Sequence, residues 1–327
     1  MKSVLVTGAW GFIGSYFCKL ALRSTDWKLT AFGRAGSSRS ESRLAEPDCE
    51  RSLLRIKGDL TDASSLSGIC EGIDYVVHFA AKTFVDHSVV DPNPFIQSNV
   101  VGTYNLLEQA RKYPVERFIQ VSTDEVYGSI AEGAYHEDSR CNPTNPYAAT
   151  KAAADSLAVA YHHTYGLPVI ITRTENNAGP YQHPQKVFPA FVQRALAGEK
   201  LSVYGDGKHV RQWLHVEDHC RAIMMLLDRG TPGHIYHIAG NYELANIDLA
   251  RAILRVMDGS DVVFPGKGHP FEQRMTFIDD TRIRPAHDRR YALNSEKIRA
   301  LGWRPQFGLN QLIEEATHWY VDNRWWY

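Results

Sequence analysis

Cysteine is scarce in this chain, and long apolar runs and an excess of charge of one sign are missing. The 327 residues include five cysteines, which are widely separated and form no C-x-x-C pair. This argues against a disulfide framework or a zinc site, and we predict no bound metal. Lysine and arginine total 36 against 37 for aspartate and glutamate, so charge calls for neither a nucleic-acid nor a membrane partner.

The few, scattered cysteines fit a reducing cytoplasm, where we expect the protein. The first apolar run, Val4-Leu5-Val6, is too short for a secretion signal or a membrane span. Instead it predicts a buried strand. Similar runs recur, and segments of helical length lie between several of them. This alternation predicts an α/β fold with a Rossmann-type doubly wound parallel sheet. The predicted strands are 4–7, 29–32, 53–56, 75–79, 118–121 and 169–172, and the first helices are 16–23, 95–111 and 147–165.

The second half of the chain has a different character after Arg173. Turn signals such as Gly179-Pro180 become frequent. We predict helices at 187–197, 216–227 and 310–323, a further sheet strand at 235–238, and a loop at 33–52. The expected organisation is a dinucleotide-binding domain of residues 1–175 plus about 215–245, with a smaller mixed C-terminal substrate lobe of about 176–214 and 246–327.

Three glycines, Gly8, Gly11 and Gly14, follow the first predicted strand with the spacing G-x-x-G-x-x-G. Glycine lets backbone N–H groups approach a pyrophosphate, and the N-terminus of the next helix adds a positive dipole. Because the motif follows a strand and opens a helix, it predicts dinucleotide binding rather than a bare turn.

The end of the second strand is where NAD and NADP are distinguished. An acid there accepts hydrogen bonds from the ribose 2′-hydroxyl, whereas an arginine suits a 2′-phosphate. The chain has Phe32-Gly33-Arg34 and no acid at this point. Taken alone, this favours NADP, and a solvated loop is an equally good interpretation.

Tyr147 and Lys151 are four residues apart, so on a helix they share one face. A nearby ammonium favours the phenolate and is expected to lower the pKa of the tyrosine. A phenolate can take the proton of a sugar hydroxyl while hydride leaves the same carbon. The pair predicts redox chemistry at an alcohol, and a surface Tyr and Lys on a helix is the alternative.

Thr123-Asp124-Glu125 follows the strand predicted at 118–121. The strand delivers two adjacent carboxyl groups and a hydroxyl to the edge of the sheet where α/β proteins bind ligands. A simple carbonyl reductase needs no such pair, whereas an elimination needs an acid and a base. Neighbouring carboxyl groups also drive their pKa values apart, which suits those two roles. A helix start or a solvated pair is the alternative.

With these motifs the chain resembles the dTDP-glucose 4,6-dehydratases of the extended short-chain dehydrogenase/reductase family. The resemblance spans nearly the whole chain and is carried by segments 121–128, 147–155, 176–177, 179–182, 204–207, 216–219 and 287–291. It implies NAD as cofactor, a nucleoside-diphosphate hexose as substrate and a homodimer formed through helices 95–111 and 147–165.

The resemblance also implies a mechanism. Tyr147, helped by Thr123 and Lys151, takes the C4-hydroxyl proton while hydride moves to the nicotinamide. Glu125 takes the C5 proton, and protonated Asp124 gives its proton to the departing C6 hydroxyl. Hydride then returns to C6, which leaves a 4-keto-6-deoxy sugar.

The remaining site residues are also implied by the resemblance. Asp59 meets the adenine, although a helix cap by Asp59 or Asp62 is the alternative. The cofactor set is Gly8, Trp10, Gly11, Phe12, Ile13, Gly14, Arg34, Asp59, Leu60, Ala80, Ala81, Asn99, Val121, Tyr147, Lys151 and Asn176. The substrate set is Thr83, Asn176, Asn177, Lys186, Tyr204, Arg211, Arg284 and His287.

The chain departs from the family pattern at several positions. Relatives usually carry Ser-His at Thr83-Phe84, Arg at His87 and Tyr at Ala178, and these differences leave the sugar open. An epimerase, a decarboxylase or a 5,6-dehydratase of the same fold, or a non-catalytic nucleotide-binding regulator, remain alternatives. A GDP-mannose dehydratase normally has Ser at the position of Asp124.

Overall fold

A computed structural model of the protein describes residues 1–34, 38–46, 49 and 52–327. Its main feature is a sheet of seven parallel strands, which confirms the predicted Rossmann-type fold. The strands are β1 (Ser3–Thr7), β2 (Lys28–Gly33), β3 (Leu53–Lys57), β4 (Tyr75–His78), β5 (Arg117–Thr123), β6 (Val169–Thr174) and β10 (Ile235–Ile238).

The order of these strands is β10-β6-β5-β4-β1-β2-β3. The chain therefore winds outward from β1 to β3 and then returns to place β4 on the other side of β1. Ligands of open α/β sheets bind in the crevice at the carboxyl ends of the strands, where the order reverses. This crevice lies beside Gly8, which follows β1, and Ala80, which follows β4.

Helices cover both faces of the sheet and bury its apolar side chains. Around Phe17 and Ile223 one cluster fills the first face, and around Leu106 and Tyr161 another fills the second. The helices are α1 (Phe12–Ser24), α2 (Ser38–Ser42), α3 (Val85–Val90), α4 (Asn93–Phe95), α5 (Gly102–Lys112), α6 (Pro146–Tyr165), α7 (Val187–Leu196), α8 (Val216–Arg229), α9 (Asn246–Gly259), α10 (Glu296–Ala300) and α11 (Leu309–Asp322).

Two small sheets and their own apolar core make up the rest of the molecule. β7 (Asn176–Ala178) and β11 (Glu243–Ala245) flank β9 (Val210–His215), while β8 (Leu201–Tyr204) pairs with β12 (Met275–Ile278). Side chains of α7, α9 and α11 form the core beneath them. The predicted smaller mixed sheet is therefore present.

Two predicted elements differ from the structure. The expected loop at 33–52 contains α2, and its residues 35–37, 47, 48, 50 and 51 lie outside the described residues. The expected helix at 95–111 has a π-helical turn, Ile96–Val101, before α5. Within that turn, the Asn99 side chain forms hydrogen bonds with the backbone of Lys82 and the hydroxyl of Thr150. Such π-helical turns are rare and occur frequently at functional sites.

Among the described residues, none of the helices combines the length and the apolar character that crossing a bilayer requires.

Candidate active site

The turn between β1 and α1 is built on glycine. Gly8 has a φ of +69°, and a Cβ on it would lie 2.7 Å from the backbone nitrogen of Ala80. A Cβ on Gly14 would collide with the carbonyl oxygen of Gly8. Gly11 is the N-cap residue of α1 and has no side chain that could bond the first N–H groups of the helix. The N–H groups of Phe12 and Ile13 are therefore open to an anion. The turn therefore fits the pyrophosphate of a dinucleotide.

Gly14→Ala should disable this turn, because the added methyl group forces the backbone of Gly8 away from α1. We expect loss of most of the dinucleotide that purifies with the protein and a lower melting temperature. Gly259→Ala is the matched control, since nothing lies within 4 Å of its Cβ position at the end of α9. Dinucleotide content equal to that of the wild type in the Gly14 variant would contradict the assignment.

No acidic residue directly follows β2, but Asp59 and Glu41 lie near the ends of β2 and β3 in the folded chain. Arg34 lies 3.6 Å from the carboxylate of Asp59, which follows β3. Glu41 of α2 accepts a hydrogen bond from the indole of Trp10 at 3.1 Å and pairs with Lys57 at 3.1 Å. Arg34 is therefore partly neutralised, which weakens the argument for a 2′-phosphate.

Asp62, and not Asp59, caps the short helix that follows β3. Its side chain accepts a hydrogen bond from the backbone of Ser64, whereas Asp59 accepts from Thr61. The predicted adenine contact of Asp59 stays a prediction, and so does the predicted cofactor binding by Leu60, Ala80 and Ala81 nearby. Asn99 lies behind this segment and fixes the backbone of Lys82.

The triplet predicted to be catalytic, Thr123-Asp124-Glu125, lies at the end of β5. Thr123 ends the strand, and its hydroxyl donates to Asp124 at 3.1 Å and accepts from the Glu125 N–H at 3.3 Å. Asp124 is buried, with one side-chain oxygen that has no partner among the described residues. Glu125 faces the neighbouring cavity and accepts from the Asn145 amide at 3.3 Å.

Burial and electrostatics give the two carboxyl groups different protonation behaviour. Burial, reinforced by the charge of Glu125, raises the pKa of Asp124 to about 7. Burial also raises the pKa of Glu125, but Arg211 and Lys186 oppose the shift. Near neutral pH, Asp124 is thus able to hold a proton, and the cations near Glu125 oppose the rise in its pKa without cancelling it. This arrangement suits one acid and one base.

Tyr147 and Lys151 lie on α6, directly beside the triplet. Lys151 is buried and its ammonium donates to the carbonyl oxygen of Val121 at 2.6 Å. The Thr123 side chain opposes part of the rise in the Tyr147 pKa that burial causes. α6 begins at a proline, and Asn145 caps it by accepting from the Ala148 N–H. The five residues predicted to be catalytic therefore lie close together, and their roles stay predictions.

The expected lowering of the Tyr147 pKa is wrong for these side chains by themselves. Burial and the charges of Glu125 and Asp124 raise the pKa of Tyr147 above its ordinary value. Lys151 does not offset this, because its ammonium is directed to Val121 and burial lowers its own pKa to about 8. Spacing on a helix places the two residues together but does not fix where the ammonium points.

A cavity of about 660 Å³ opens beside Glu125 and extends into the C-terminal lobe. Its size is suited to a small-molecule ligand. Predicted residues that line it are Glu125, Asn176, Lys186, Tyr204, Arg211, Arg284 and His287. Thr83 and Asn177 are not among the described lining residues. The Thr83 carbonyl accepts from Lys186 at 2.9 Å, and the Asn177 amide bonds Thr174 and Glu175, so their substrate contacts stay predictions.

Two arginines line this cavity. Arg211 donates to the carbonyl oxygen of Asp288 at 2.9 Å and lies over the ring of Tyr291. Arg284 pairs with Asp86 of α3 and so connects the lobe to the main sheet domain. Planar guanidinium groups are well suited to a diphosphate.

His287 lies between these arginines and is held neutral. Its Nδ1 contacts Asp280, and its Nε2 is 3.2 Å from Arg211. Burial lowers the pKa of His287 to about 4. His209, Asp280 and His287 lie close enough together to be considered as metal ligands. However, the rings of His209 and His287 are stacked, with centroids 3.8 Å apart and nearly parallel planes, so their in-plane nitrogen lone pairs do not point to one shared metal position. We interpret this cluster as hydrogen-bonded support for the arginines.

Sequence reasoning missed three residues that shape the site. Asn145 holds Glu125, and Asp86 holds Arg284. Glu175 is buried one residue beyond β6, and its Oε1 accepts from the Gly240 N–H at 2.7 Å. Asn145 could have been found from the sequence, because it stands in a helix-capping position before Pro146. Glu175 could not, because only the pairing of β5 with β6 brings it near Asp124.

The glycine turn, the Tyr-x-x-x-Lys pair and the two adjacent carboxyl groups together define a Rossmann-fold enzyme of the extended short-chain dehydrogenase/reductase type. The model of the GDP-mannose 4,6 dehydratase family matches residues 5–316. The chain belongs to this family.

Relatives cover almost the whole chain. A dTDP-glucose 4,6-dehydratase from Streptomyces niveus is 43% identical over 331 residues, which cover 99% of this chain and 94% of that protein. The low-salt glycan biosynthesis protein Agl12 of Haloferax volcanii is 40% identical and covers 97% of this chain and 98% of its own length. The crystal structure of the dTDP-glucose 4,6-dehydratase DesIV from Streptomyces venezuelae, with NAD bound, superposes with a TM-score of 0.91. It is 41% identical and covers 99% of this chain and 98% of its own.

Proposed function

We propose that the protein is an NAD-dependent lyase that dehydrates a nucleoside-diphosphate hexose, converting dTDP-glucose to dTDP-4-keto-6-deoxyglucose. The observation that carries this proposal is the buried Asp124 beside Glu125, because an acid and a base at adjacent positions are what elimination of water requires. The relatives that act on dTDP-glucose by name support the choice of substrate.

NAD, the dinucleotide that two solved relatives carry, would be held by Gly8, Gly11 and Gly14 and by Asp59. When bound, it supplies hydride acceptance from C4 and hydride return to C6. The neutralised corner at Arg34 and Asp59 supports NAD over NADP. Identification of the dinucleotide released from the denatured protein tests this choice, and NADP would contradict it.

The chain's own residues perform the proton transfers. Tyr147 takes the C4-hydroxyl proton, and the resulting 4-ketone makes the C5 proton acidic. Glu125 takes that proton from within the cavity, while Asp124 protonates the C6 hydroxyl so that it leaves as water. Glu125 returns a proton to C5 at the end of the cycle.

The nucleotide end of the substrate belongs to the C-terminal lobe in this proposal. Arg211 and Arg284 would bind the diphosphate, with Asn176, Lys186 and Tyr204 around them. Residues 1–175 plus about 215–245 would form the dinucleotide domain, and about 176–214 and 246–327 the substrate lobe. The active site then lies between the two units, which Asp86 and Arg284 connect.

Arg284→Met should weaken substrate binding more than it slows the catalytic step. Loss of charge-assisted hydrogen bonds to a diphosphate is expected to raise KM by roughly 10- to 100-fold with a small change in kcat. Arg282→Met is the matched control, because Arg282 is exposed and is not among the residues that line the cavity. Steady-state kinetics measures both values, and an unchanged KM in the Arg284 variant would contradict this placement.

The direct test of the proposed function is conversion of dTDP-glucose by the purified protein. The 4-keto product absorbs in alkaline solution, and mass spectrometry reports the loss of water. UDP-glucose, UDP-glucuronate and GDP-mannose serve as competing substrates. Epimerisation or decarboxylation without loss of water would contradict the proposal.

We also propose a cytoplasmic homodimer. Ile96, Tyr104 and Tyr165 are exposed apolar side chains on the helical segments expected to form the dimer interface. The five cysteines are free, in keeping with a reducing compartment. Sedimentation of the purified protein tests the dimer, and a monomer at working concentration would contradict it.

A further inference from the structure

The peptide group between Trp10 and Gly11 belongs to the glycine turn and directly precedes α1. Its N–H, on Gly11, donates to the carbonyl oxygen of Gly8 at 2.8 Å. Its carbonyl oxygen, on Trp10, accepts from Nη1 of Arg43 at 2.9 Å. Because a peptide group is planar, these two hydrogen bonds together fix its orientation. That orientation helps to direct the first N–H groups of α1, which are expected to meet the pyrophosphate.

Arg43 lies outside the glycine turn, one residue beyond α2. It is 6% exposed, and burial lowers its pKa to about 10, which leaves the guanidinium charged at neutral pH. Besides Trp10, it contacts Tyr181, because its Nε donates to the carbonyl oxygen of that residue at 3.1 Å. The rigid fork of a guanidinium can hold two such oxygens at once, which the single ammonium of a lysine does not reproduce. Arg43 therefore joins the turn to the segment that contains Tyr181.

The segment that Arg43 contacts is itself fixed to the C-terminal lobe. The Tyr320 hydroxyl of α11 accepts from the Gln182 N–H at 3.0 Å. The indole of Trp326, which follows α11 and is buried, donates to the Gln182 carbonyl oxygen at 2.8 Å. The Arg43 guanidinium lies 4.9 Å from the centroid of the Trp326 ring, a distance at which a cation is attracted to an aromatic face.

We infer that Arg43 is a positioning residue for the dinucleotide, and that the C-terminal lobe acts on the cofactor site through it. The Tyr181 carbonyl and the Trp326 ring hold the guanidinium, and the guanidinium holds the peptide group that precedes α1. The proposed reaction returns its hydride to the sugar in each turnover, so a dinucleotide that stays bound between turnovers serves it. This inference rests on the proposed function and adds that the C-terminal lobe helps to retain the cofactor.

The test measures how fast bound NAD exchanges with NAD in solution. Holoenzyme loaded with radiolabelled NAD is diluted into an excess of unlabelled NAD, and the label that remains on the protein is followed with time. Arg43→Met removes the hydrogen-bond donors, and Arg43→Lys keeps the charge without the fork. Arg23→Met is the matched control, because Arg23 is exposed on α1 and its ion pair, with Glu46, lies outside the glycine turn.

Arg43→Met should release NAD at least roughly tenfold faster than the wild type, since a hydrogen bond to a charged donor is lost. Arg43→Lys should have an intermediate rate, and it serves alone if the methionine variant does not fold. Saturating NAD should restore kcat of both variants to nearly the wild-type value, because Tyr147, Lys151 and the triplet are unchanged. The KM for dTDP-glucose should stay the same, and Arg23→Met should match the wild type throughout.

The contribution of Trp326 is tested by coupling. Trp326→Leu removes the ring beside Arg43 and should also speed the exchange of NAD. The double variant with Arg43→Met should exchange NAD no faster than Arg43→Met alone, because residues that act through one another are not additive. Trp326→Phe replaces the leucine variant if that does not fold. Additive effects would contradict the role of Trp326.

Two outcomes would overturn the role of Arg43. Exchange at the wild-type rate in its variants removes Arg43 from retention of the cofactor. A loss of kcat that saturating NAD does not restore indicates general support of the site and not positioning of the dinucleotide. A wild-type protein that carries no NAD, or that does not dehydrate dTDP-glucose, contradicts the proposed function instead, so the two failures are distinguishable.

Discussion

Glu125→Gln is expected to abolish exchange of the C5 hydrogen with solvent and to reduce kcat by roughly 10²- to 10⁴-fold, because an amide cannot accept the proton. Glu125 is the carboxyl group of the triplet that faces the cavity. Arg211 and Lys186 favour its ionised form, and Asn145 orients it at 3.3 Å. The substitution preserves shape and this hydrogen-bonding partner, so the loss reports on the base itself.

The measurement is deuterium incorporation at C5 in D₂O, followed by NMR together with product formation. Glu132→Gln is the control, because Glu132 is exposed and is not among the residues that line the cavity. Exchange and turnover close to those of the wild type in the Glu125 variant would remove it from the role of base.

Asp124→Asn should separate oxidation from elimination. The variant keeps Tyr147, Lys151 and Glu125, so C4 oxidation and C5 exchange should continue. Departure of the C6 hydroxyl should slow by roughly 10²- to 10⁴-fold, since no acid protonates it. Quenching with borodeuteride and mass spectrometry should reveal the trapped 4-keto hexose that still carries its C6 oxygen. Asp138→Asn, at an exposed position, is the control.

The pH dependence of the wild type follows from the same residue. Asp124 acts as an acid only when protonated, and its pKa is raised to about 7 by burial and by Glu125. The elimination rate should therefore decline as pH rises through about 7. A rate that stays constant well above that pH would contradict the role of Asp124.

The free energy of unfolding should also decrease as pH rises towards about 7, because of the raised pKa of Asp124. The folded protein holds the Asp124 proton more tightly than the unfolded chain, so this group favours folding at low pH. That contribution declines as pH rises from about 4, the ordinary aspartate pKa, towards about 7. Asp124→Asn should consequently raise the melting temperature relative to the wild type at pH 8 and have little effect near pH 4. Thermal unfolding at the two pH values measures the difference.

Local patterns in the sequence were sufficient for the fold. Each strand predicted from an apolar run is present in the sheet, including Ile235–Ile238 at its edge. The reason is that burial of such runs on both faces leaves few other solutions for alternating strands and helices. The π-helical turn at Ile96–Val101 was not predicted, and Asn99 within it bonds Lys82 and Thr150, which belong to other segments of the chain.

The candidate site, like the fold, was predicted only in part from the sequence. Residues within a few positions of each other, such as Gly8 to Gly14, Thr123 to Glu125 and Tyr147 with Lys151, were grouped from their spacing and local context, and the members of each group do lie close together. Their roles in the mechanism came from the family resemblance. The directions in which these side chains point and their protonation states were not correctly predicted from that spacing. The Lys151 ammonium is turned to Val121, the pKa of Tyr147 is raised, and Arg34 faces Asp59.

The sequence by itself therefore determined which chemical groups are available, an acid, a base, a phenol and a glycine turn, because each lies in one short segment whose local geometry is fixed by a strand end or a helix. Only the tertiary structure decided their protonation and their partners. Burial sets the pKa of Asp124, the pairing of β5 with β6 brings Glu175 beside it, and the cavity joins Glu125 to Arg284 across the chain. Desolvation and charge pairing depend on residues far apart in sequence, so they emerge only when the chain has folded.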